Sequence, residues 1–337
     1  MRSIIRYLLL KPILWLVARF DSAPDRQRVF EALTKLKDTI INKPGKKGFI
    51  IPFDHLESKI IVFSDQHKGA KNGADDFMRA ESNYLAALEF YETEKYHFVS
   101  LGDGEELWEN TLNQVKKNNL PSFDAESKFQ RRHAFTKVFG NHDLDWDINP
   151  LAEQELKNIY GSTIIALEGI VLQGKIGNKK IRIFCTHGHQ GDARSDGNYF
   201  SKWFVSVIWA PLQAYLRINP NTPAYNATLK TVHNQMMYEW SSQQNDILLI
   251  TGHTHQPVFE SLTHYERIQR SDDSKSKQFE SVKPMYFNSG CCCFDDGDIT
   301  GIELSGGEIR LIKWTRKEGL PNRVVLESET LAKLFNK

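Results

Sequence analysis

The chain has 337 residues, which is long for one compact domain and short for two full ones. Its 43 Lys and Arg residues almost balance its 42 Asp and Glu residues, so the net charge is +1. Proteins that bind nucleic acid usually carry a strongly basic domain or face, and we therefore expect no nucleic-acid partner. The four cysteines include no CxxC pair, which argues against a zinc ribbon and favours a reducing compartment.

The first 20 residues are apolar and aromatic, and their charges are all positive. Lys11 and Pro12 interrupt the apolar stretch, so it is too short for a membrane span, and no small-residue cleavage site indicates a signal peptide. Such a segment suits either the membrane interface or a surface of the protein itself. We expect a cytoplasmic protein that contacts the inner face of the membrane through residues 1–20.

The N-terminal part of the chain continues as a helical pattern that ends near residue 43. Pro44 and Gly45 then indicate a linker. We accordingly divide the chain into an N-terminal segment and helix, residues 1–48, and a main domain, residues 49–337.

The main domain alternates apolar, β-branched runs with helical patterns. This order predicts an α/β fold with a largely parallel sheet. The predicted strands are 59–64, 96–101 and 136–139, and the predicted helices are 81–95 and 125–134. Residues 190–245 interrupt the alternation and are predicted to be a helical insertion, whose second helix covers about 226–243. Short segments after residue 257 are expected to form a second, antiparallel sheet.

Five of the apolar runs end in side chains that bind metal ions. These side chains are Asp65, His67, Asp103, Asn141, His142, His187, His189, His253 and His255. Ligands of open α/β sheets collect at the carboxyl ends of strands, so we expect one common site. Residues two apart in an extended strand end point the same way, which pairs Asp65 with His67 and His253 with His255. We assign one metal ion to Asp65, His67 and His255 and a second to Asn141, His187 and His253, with Asp103 bridging them.

Mixed oxygen and nitrogen ligands without thiolate suit manganese, and also iron or zinc. Two such ions about 3.5–4 Å apart can hold a hydroxide between them and can stabilise the oxygens of an in-line phosphoryl displacement. His142, next to the ligand Asn141, would then protonate the leaving oxygen. Asp143 either orients His142 or caps the loop.

The motifs, taken in order, resemble those of the calcineurin-like metallophosphoesterase superfamily. That pattern is DxH, GD, GNHD, a histidine after a later strand, and GHxH. It occurs here as Asp65-Gln66-His67, Gly102-Asp103, Gly140-Asn141-His142-Asp143, Thr186-His187-Gly188-His189 and Gly252-His253-Thr254-His255. The resemblance covers roughly residues 57–300. It implies a four-layer αββα sandwich with a dinuclear site, the ligand roles given above, His142 as the catalytic histidine and the insertion as a lid. We expect His189 near the substrate or behind the metal ligands.

A narrower resemblance is to the UDP-2,3-diacylglucosamine pyrophosphatase group of lipid A biosynthesis. Gly102-Asp103 continues to Glu106 and Trp108, similar to the GDxxExW motif of that group, and the insertion lies between the same two motifs as its lid. This resemblance implies hydrolysis of a phosphodiester or pyrophosphate bond in a phosphorylated small-molecule or lipid-linked substrate. The expected substrate contacts are Arg131, Arg132 and Arg194 to phosphate and Trp203 to an acyl chain.

Other functions fit the same motifs. The first is a protein phosphatase or general phosphomonoesterase of the same superfamily, with a shallow site. A nuclease is disfavoured by the near-neutral charge. A metal-stabilised scaffold is disfavoured by His142, because a scaffold needs no general acid.

Overall fold

The computed structural model describes residues 25–191, 223–245, 247–263, 266, 283 and 285–336. Residues 1–20, Arg194 and Trp203 lie outside this part of the chain, so the membrane contact and the acyl-chain contact stay predictions. No helix of the described residues is long and apolar enough to cross a membrane.

The described residues form eight helices and thirteen strands. The helices are α1 (Arg26–Asn42), α2 (Glu81–Thr93), α3 (Leu112–Asn118), α4 (Leu120–Arg131), α5 (Asp145–Ile148), α6 (Ala152–Tyr160), α7 (Pro223–Ser242) and α8 (Leu331–Asn336). The strands are β1 (Gly48–Pro52), β2 (Ile60–Phe63), β3 (His97–Leu101), β4 (Phe135–Val138), β5 (Gly169–Ile176), β6 (Lys179–Thr186), β7 (Ile247–Thr251), β8 (Val258–Phe259), β9 (Leu262–Thr263), β10 (Tyr286–Asn288), β11 (Ile299–Ser305), β12 (Glu308–Lys317) and β13 (Leu320–Thr330). A 3-10 turn at Phe77–Arg79 precedes α2.

The strands pair into two sheets. One sheet has the order β1-β5-β6-β7-β10-β8-β9, and the other has the order β13-β12-β11-β2-β3-β4. Strands β2, β3 and β4 are parallel, as are β6, β7 and β10. The segments after residue 257 do not form a sheet of their own, which differs from our expectation. Instead, β11 pairs antiparallel with β2, and β10 joins β7, so both sheets are extended by C-terminal strands.

The sheets pack face to face, and helices cover their outer faces. Side chains of both sheets share one core, including Val99 and Val138 from one sheet and Ile183 and Ile250 from the other. Helices α2 and α4 cover the six-stranded sheet, and α1 and α7 cover the seven-stranded sheet. Because the central strands are buried on both faces, they are almost continuously apolar. The predicted four-layer αββα sandwich is confirmed.

Helix α1 belongs to the outer layer of this sandwich. Asp25 caps the helix by accepting a hydrogen bond from the Arg28 backbone N–H, at 3.0 Å. The buried residues recur at helical spacing and pack against the seven-stranded sheet; they are Val29, Leu33, Leu36 and Ile40. The domain boundary at residue 48 stays a prediction.

Replacing Leu33 by Ala should show whether α1 is part of the cooperative fold. Leu33 is fully buried, so Leu33→Ala should lower the free energy of unfolding by about 2–5 kcal/mol. The matched control is Lys35→Ala on the exposed face, expected within about 0.5 kcal/mol of the wild type. Urea denaturation followed by circular dichroism measures both, and equal midpoints for the two variants would contradict the packing role.

Candidate metal centre

The predicted ligands follow the carboxyl ends of strands in both sheets. Asp65 and His67 follow β2, Asp103 follows β3, and Asn141 and His142 follow β4. His187 follows β6, and His253 and His255 follow β7. Strands β2, β3 and β4 are parallel in one sheet, and β6 and β7 are parallel in the other. Within each sheet the carboxyl ends therefore lie at one edge, where ligands of open α/β sheets collect.

The first group of ligand atoms lies around His67. Its Nε2 lies 3.2 Å from Nε2 of His255 and 3.8 Å from Oδ2 of Asp103. Oδ1 of Asp65 lies 3.2 Å from Nε2 of His255. The structure therefore brings together the three residues predicted for the first metal ion, with Asp103 beside them.

The second group lies on the other side of Asp103. Nε2 of His187 is 3.0 Å from Oδ2 of Asp103, and a nitrogen of His253 joins them within 4.8 Å. Oδ1 of Asn141 is buried and has no hydrogen-bond partner among the described residues. A buried amide oxygen without a donor is costly unless it binds a cation. Asp103 is thus shared between the two groups, as predicted.

The hydrogen bonds of the histidines leave acceptor atoms facing each other. Nδ1 of His187 lies 2.9 Å from the backbone carbonyl of Leu101, which only accepts, so Nδ1 carries the hydrogen. In the neutral ring, Nε2 then presents a lone pair to the Asp103 carboxylate. His67 likewise directs Nδ1 to Glu106, at 2.8 Å, and Nε2 to the other ligands. Such acceptor pairs require a cation between them, and two divalent metal ions fit this donor set.

The charges of the site favour cations. Burial alone would lower the pKa of His67, but Glu106, Asp103 and Asp65 outweigh it and raise the pKa to about 10. Burial also lowers the pKa of His187, and Asp103 and Asp65 raise it to about 9. The same carboxylates that would hold a proton on these rings attract a divalent metal ion.

Five of the ligands have a left-handed backbone. Their φ angles are 53° for Asp65, 50° for His67, 51° for Asp103, 69° for His253 and 54° for His255. Non-glycine residues rarely adopt this conformation, which costs about 1–3 kcal/mol at each position. Our expectation that DxH and HxH are extended strand ends was therefore wrong, although the paired side chains do converge. Backbone hydrogen bonds hold the turns, including Asp65 N–H to Gly102 carbonyl at 3.0 Å.

His142 is held by two residues that the sequence reasoning did not count as site residues. Its Nδ1 lies 2.7 Å from Oε2 of Glu106, the same oxygen that contacts His67. The Trp108 ring stacks on the imidazole, with centroids 4.6 Å apart and planes 18° apart. The Trp108 indole N–H also donates to the backbone carbonyl of Asn141. The GDxxExW pattern was the signal in the sequence that marked both residues.

Of the two roles considered for Asp143, the structure shows the loop cap. Its carboxylate accepts hydrogen bonds from the backbone N–H groups of Gly140, at 2.6 Å, and Gly104, at 2.8 Å. These contacts join the GNHD loop to the GD loop. The carboxylate beside the His142 imidazole is that of Glu106, which makes the contact predicted for Asp143. Asp143 therefore acts on the shape of the site rather than on His142.

His189 lies behind the second group of ligands. It is buried, and its ring centroid is 5.5 Å from that of His187. Burial and the neighbouring His187 lower the pKa of His189 to about 3, so the ring is neutral. Nδ1 has no hydrogen-bond partner among the described residues. A contact of His189 with substrate stays a prediction.

Arg131 and Arg132 lie at the opposite edge of the sheet, so our placement of them beside the site was wrong. Both precede β4, whereas the site follows it, and the strand separates the two ends by about 13 Å. Arg132 pairs with Glu92 at 2.6 Å and donates to the carbonyl of Tyr96, which precedes β3. Arg132 is thus a structural residue, and Arg131 is exposed at the end of α4.

The run of three cysteines lies beside a metal ligand. Cys291, Cys292 and Cys293 are buried. In addition, Sγ of Cys293 lies 3.8 Å from Nδ1 of His255. This contact leaves Nε2 of His255 directed at Asp65 and His67.

Comparison with known proteins agrees with this geometry. The calcineurin-like phosphoesterase family model matches residues 58–257, more than half of the chain. The chain therefore belongs to the calcineurin-like phosphoesterase family and is a hydrolase that acts on phosphoesters.

Several solved structures are similar to the chain. Vacuolar Protein Sorting 29 from Cryptosporidium parvum is 15% identical, with 82% of this chain and 99% of that chain covered and a TM-score of 0.34. A dimetal phosphatase from Danio rerio is 10% identical, with 80% and 99% covered and a TM-score of 0.37. No curated protein matches the chain.

Glu106 should control metal binding although it is not itself a ligand. Glu106→Gln removes the charge that holds His67 and should weaken metal affinity about 10–100-fold. Glu89→Gln, an exposed substitution on α2, is the matched control and should bind metal like the wild type. Isothermal titration with Mn²⁺ measures both variants. Equal affinity of Glu106→Gln and wild type would contradict the role of this carboxylate.

Proposed function

We propose that this enzyme uses two divalent metal ions, preferentially manganese, to hydrolyse a phosphodiester or pyrophosphate bond. Iron and zinc also suit the ligands. The observation that carries the proposal is the position of Asp103, whose Oδ2 lies 3.8 Å from Nε2 of His67 and 3.0 Å from Nε2 of His187. A carboxylate between two groups of ligands can bridge two metal ions.

The two ions, when bound, would lower the pKa of a water molecule and neutralise the charge on the phosphate oxygens. The residues of the chain supply the rest of the reaction. Nδ1 of His142 lies 2.7 Å from Oε2 of Glu106, and Trp108 stacks on one face of the ring. Its side chain is 24% exposed, and Nε2 is the ring nitrogen that does not face Glu106. We assign to this nitrogen the transfer of a proton to the leaving oxygen.

Removal of metal and of single ligands tests the reaction class. We expect Mn²⁺-dependent hydrolysis of bis-p-nitrophenyl phosphate that is lost with EDTA and restored by Mn²⁺. Asp103→Ala and His253→Ala should reduce the rate to that of the uncatalysed reaction, because each removes a ligand. Asp124→Ala, an exposed substitution on α4, should retain the wild-type rate. Full activity of either ligand variant would contradict the two-metal reaction.

For the substrate, we propose a diphosphate bond in a lipid-linked sugar nucleotide of the UDP-2,3-diacylglucosamine type. The support is the GDxxExW pattern, whose Glu106 and Trp108 both contact His142. Contacts of α7, the described helix of the insertion, with the loops after β6 and β7 support it as well. Such a substrate fits a cytoplasmic enzyme that contacts the membrane through residues 1–20.

Paired substrates test this choice. UDP-2,3-diacylglucosamine should be hydrolysed with a kcat/KM at least tenfold above that of UDP-N-acetylglucosamine, because each buried CH₂ contributes about 0.8 kcal/mol. Coupled phosphate release after a phosphatase step measures both reactions. Equal values would contradict a lipid substrate. Faster hydrolysis of p-nitrophenyl phosphate than of either diphosphate would favour the phosphomonoesterase alternative.

A further inference from the structure

Helix α7 contacts both loops that carry the histidine ligands of the seven-stranded sheet. Nε2 of the buried His233 lies 2.8 Å from the backbone carbonyl of Gly188, between His187 and His189. The same imidazole packs edge-on against His253, with ring centroids 5.1 Å apart. One side chain of the helix therefore touches the loop after β6 and the loop after β7.

The next residue, Asn234, binds the second of these loops more extensively. Its Oδ1 accepts a hydrogen bond from Oγ1 of Thr254, at 3.0 Å, and from the hydroxyl of Tyr286, at 2.8 Å. Its Nδ2 donates to Oε1 of Gln256, at 2.9 Å. Thr254 lies between the ligands His253 and His255, so Asn234 holds the peptide that separates them.

The far end of α7 is fixed to the body of the protein. Trp240 is buried against Phe184 of β6, and its indole N–H donates to Oγ1 of Thr34 in α1, at 3.0 Å. Met237 belongs to the same apolar cluster. Because α7 is anchored there, His233 and Asn234 hold the two ligand loops at a fixed position relative to the sheet.

The loop after β6 needs such support. Gly188 is buried and has φ 109°, a left-handed conformation that favours glycine. A carbonyl in a buried loop needs a donor, and Nε2 of His233 provides one. The imidazole thereby sets the direction of the peptide that follows the ligand His187.

We propose that His233 and Asn234 are positioning residues of the metal centre, so that the last helix of the insertion assembles the ligands His187, His253 and His255. This inference rests on the proposed two-metal function. It makes α7 a structural part of the site rather than a cover over it. Residues that contact metal ligands in this way typically change metal affinity 10–100-fold when they are replaced.

Two substitutions of His233 separate positioning from packing. His233→Phe keeps the ring but removes the donor to Gly188, and we expect the affinity for Mn²⁺ at the weaker site to fall 10–100-fold. His233→Gln places an amide N–H near the position of Nε2 and should rescue the affinity to within about threefold of the wild type. The matched control, Val232→Ala, changes the exposed neighbour on the same helix and should leave the affinity unchanged.

The readouts are Mn²⁺ titration by calorimetry and the electron paramagnetic resonance spectrum of the Mn²⁺-loaded protein, in which spin coupling reports two neighbouring ions. Thermal unfolding checks that each variant is folded. If His233→Phe does not fold, Thr254→Val decides, since it removes the hydroxyl that donates to Asn234 and should weaken Mn²⁺ binding about tenfold. Wild-type affinity and spin coupling in His233→Phe, or in Thr254→Val if His233→Phe does not fold, would overturn this inference and leave the two-metal function standing. Failure of the wild-type protein to bind Mn²⁺ would overturn the two-metal function with it.

Discussion

The close approach of hydrogen-bond acceptors around Asp103 is the constraint on which the rest of the structure depends. Nε2 of His187 and Oδ2 of Asp103 are 3.0 Å apart, and with the ring neutral both are acceptors, so a metal ion or a proton must lie between them. Five loops must converge to produce this arrangement, and left-handed backbone at five ligands costs about 1–3 kcal/mol each. At two further positions, glycine lets the backbone of one ligand loop lie close to a residue of another loop. A Cβ on Gly140 would lie 2.2 Å from Oδ1 of Asp103, and a Cβ on Gly252 would lie 2.3 Å from Oγ of Ser64.

Each sheet supports its own ligand loops with buried polar groups. Under the six-stranded sheet's loops, Lys68 pairs with Glu126 at 2.7 Å and Lys137 pairs with Glu105 at 2.8 Å, and all four are fully buried. Buried ion pairs contribute little net stability, but removal of one partner typically costs about 3–5 kcal/mol, so the network keeps the loops in one arrangement. Helix α7 has the corresponding position for the seven-stranded sheet. The strained ligand loops persist because both sets of contacts hold them.

The order of the motifs was sufficient to predict the grouping of the ligands, because strand polarity fixes which side chains meet, whereas the sandwich was predicted from the family resemblance that the motifs carry. It was insufficient where a contact depends on turn geometry: Glu106, not Asp143, is beside His142, and the strand ends turn rather than extend. The placement of Arg132 beside the site was wrong because Arg132 precedes β4, whereas the ligands follow it. The position of Arg132 before the predicted strand could be read from the sequence. The role of His233 could not be read from the sequence, since it lies 45 positions from its partner Gly188.

Anomalous diffraction from crystals grown with Mn²⁺ would test the two-metal centre most directly. We predict two manganese peaks about 3.5–4 Å apart, with the Asp103 carboxylate between them. Asp65, His67 and His255 should surround one peak, and Asn141, His187 and His253 should surround the other. A single peak, or two peaks that do not share Asp103, would contradict the two-metal centre.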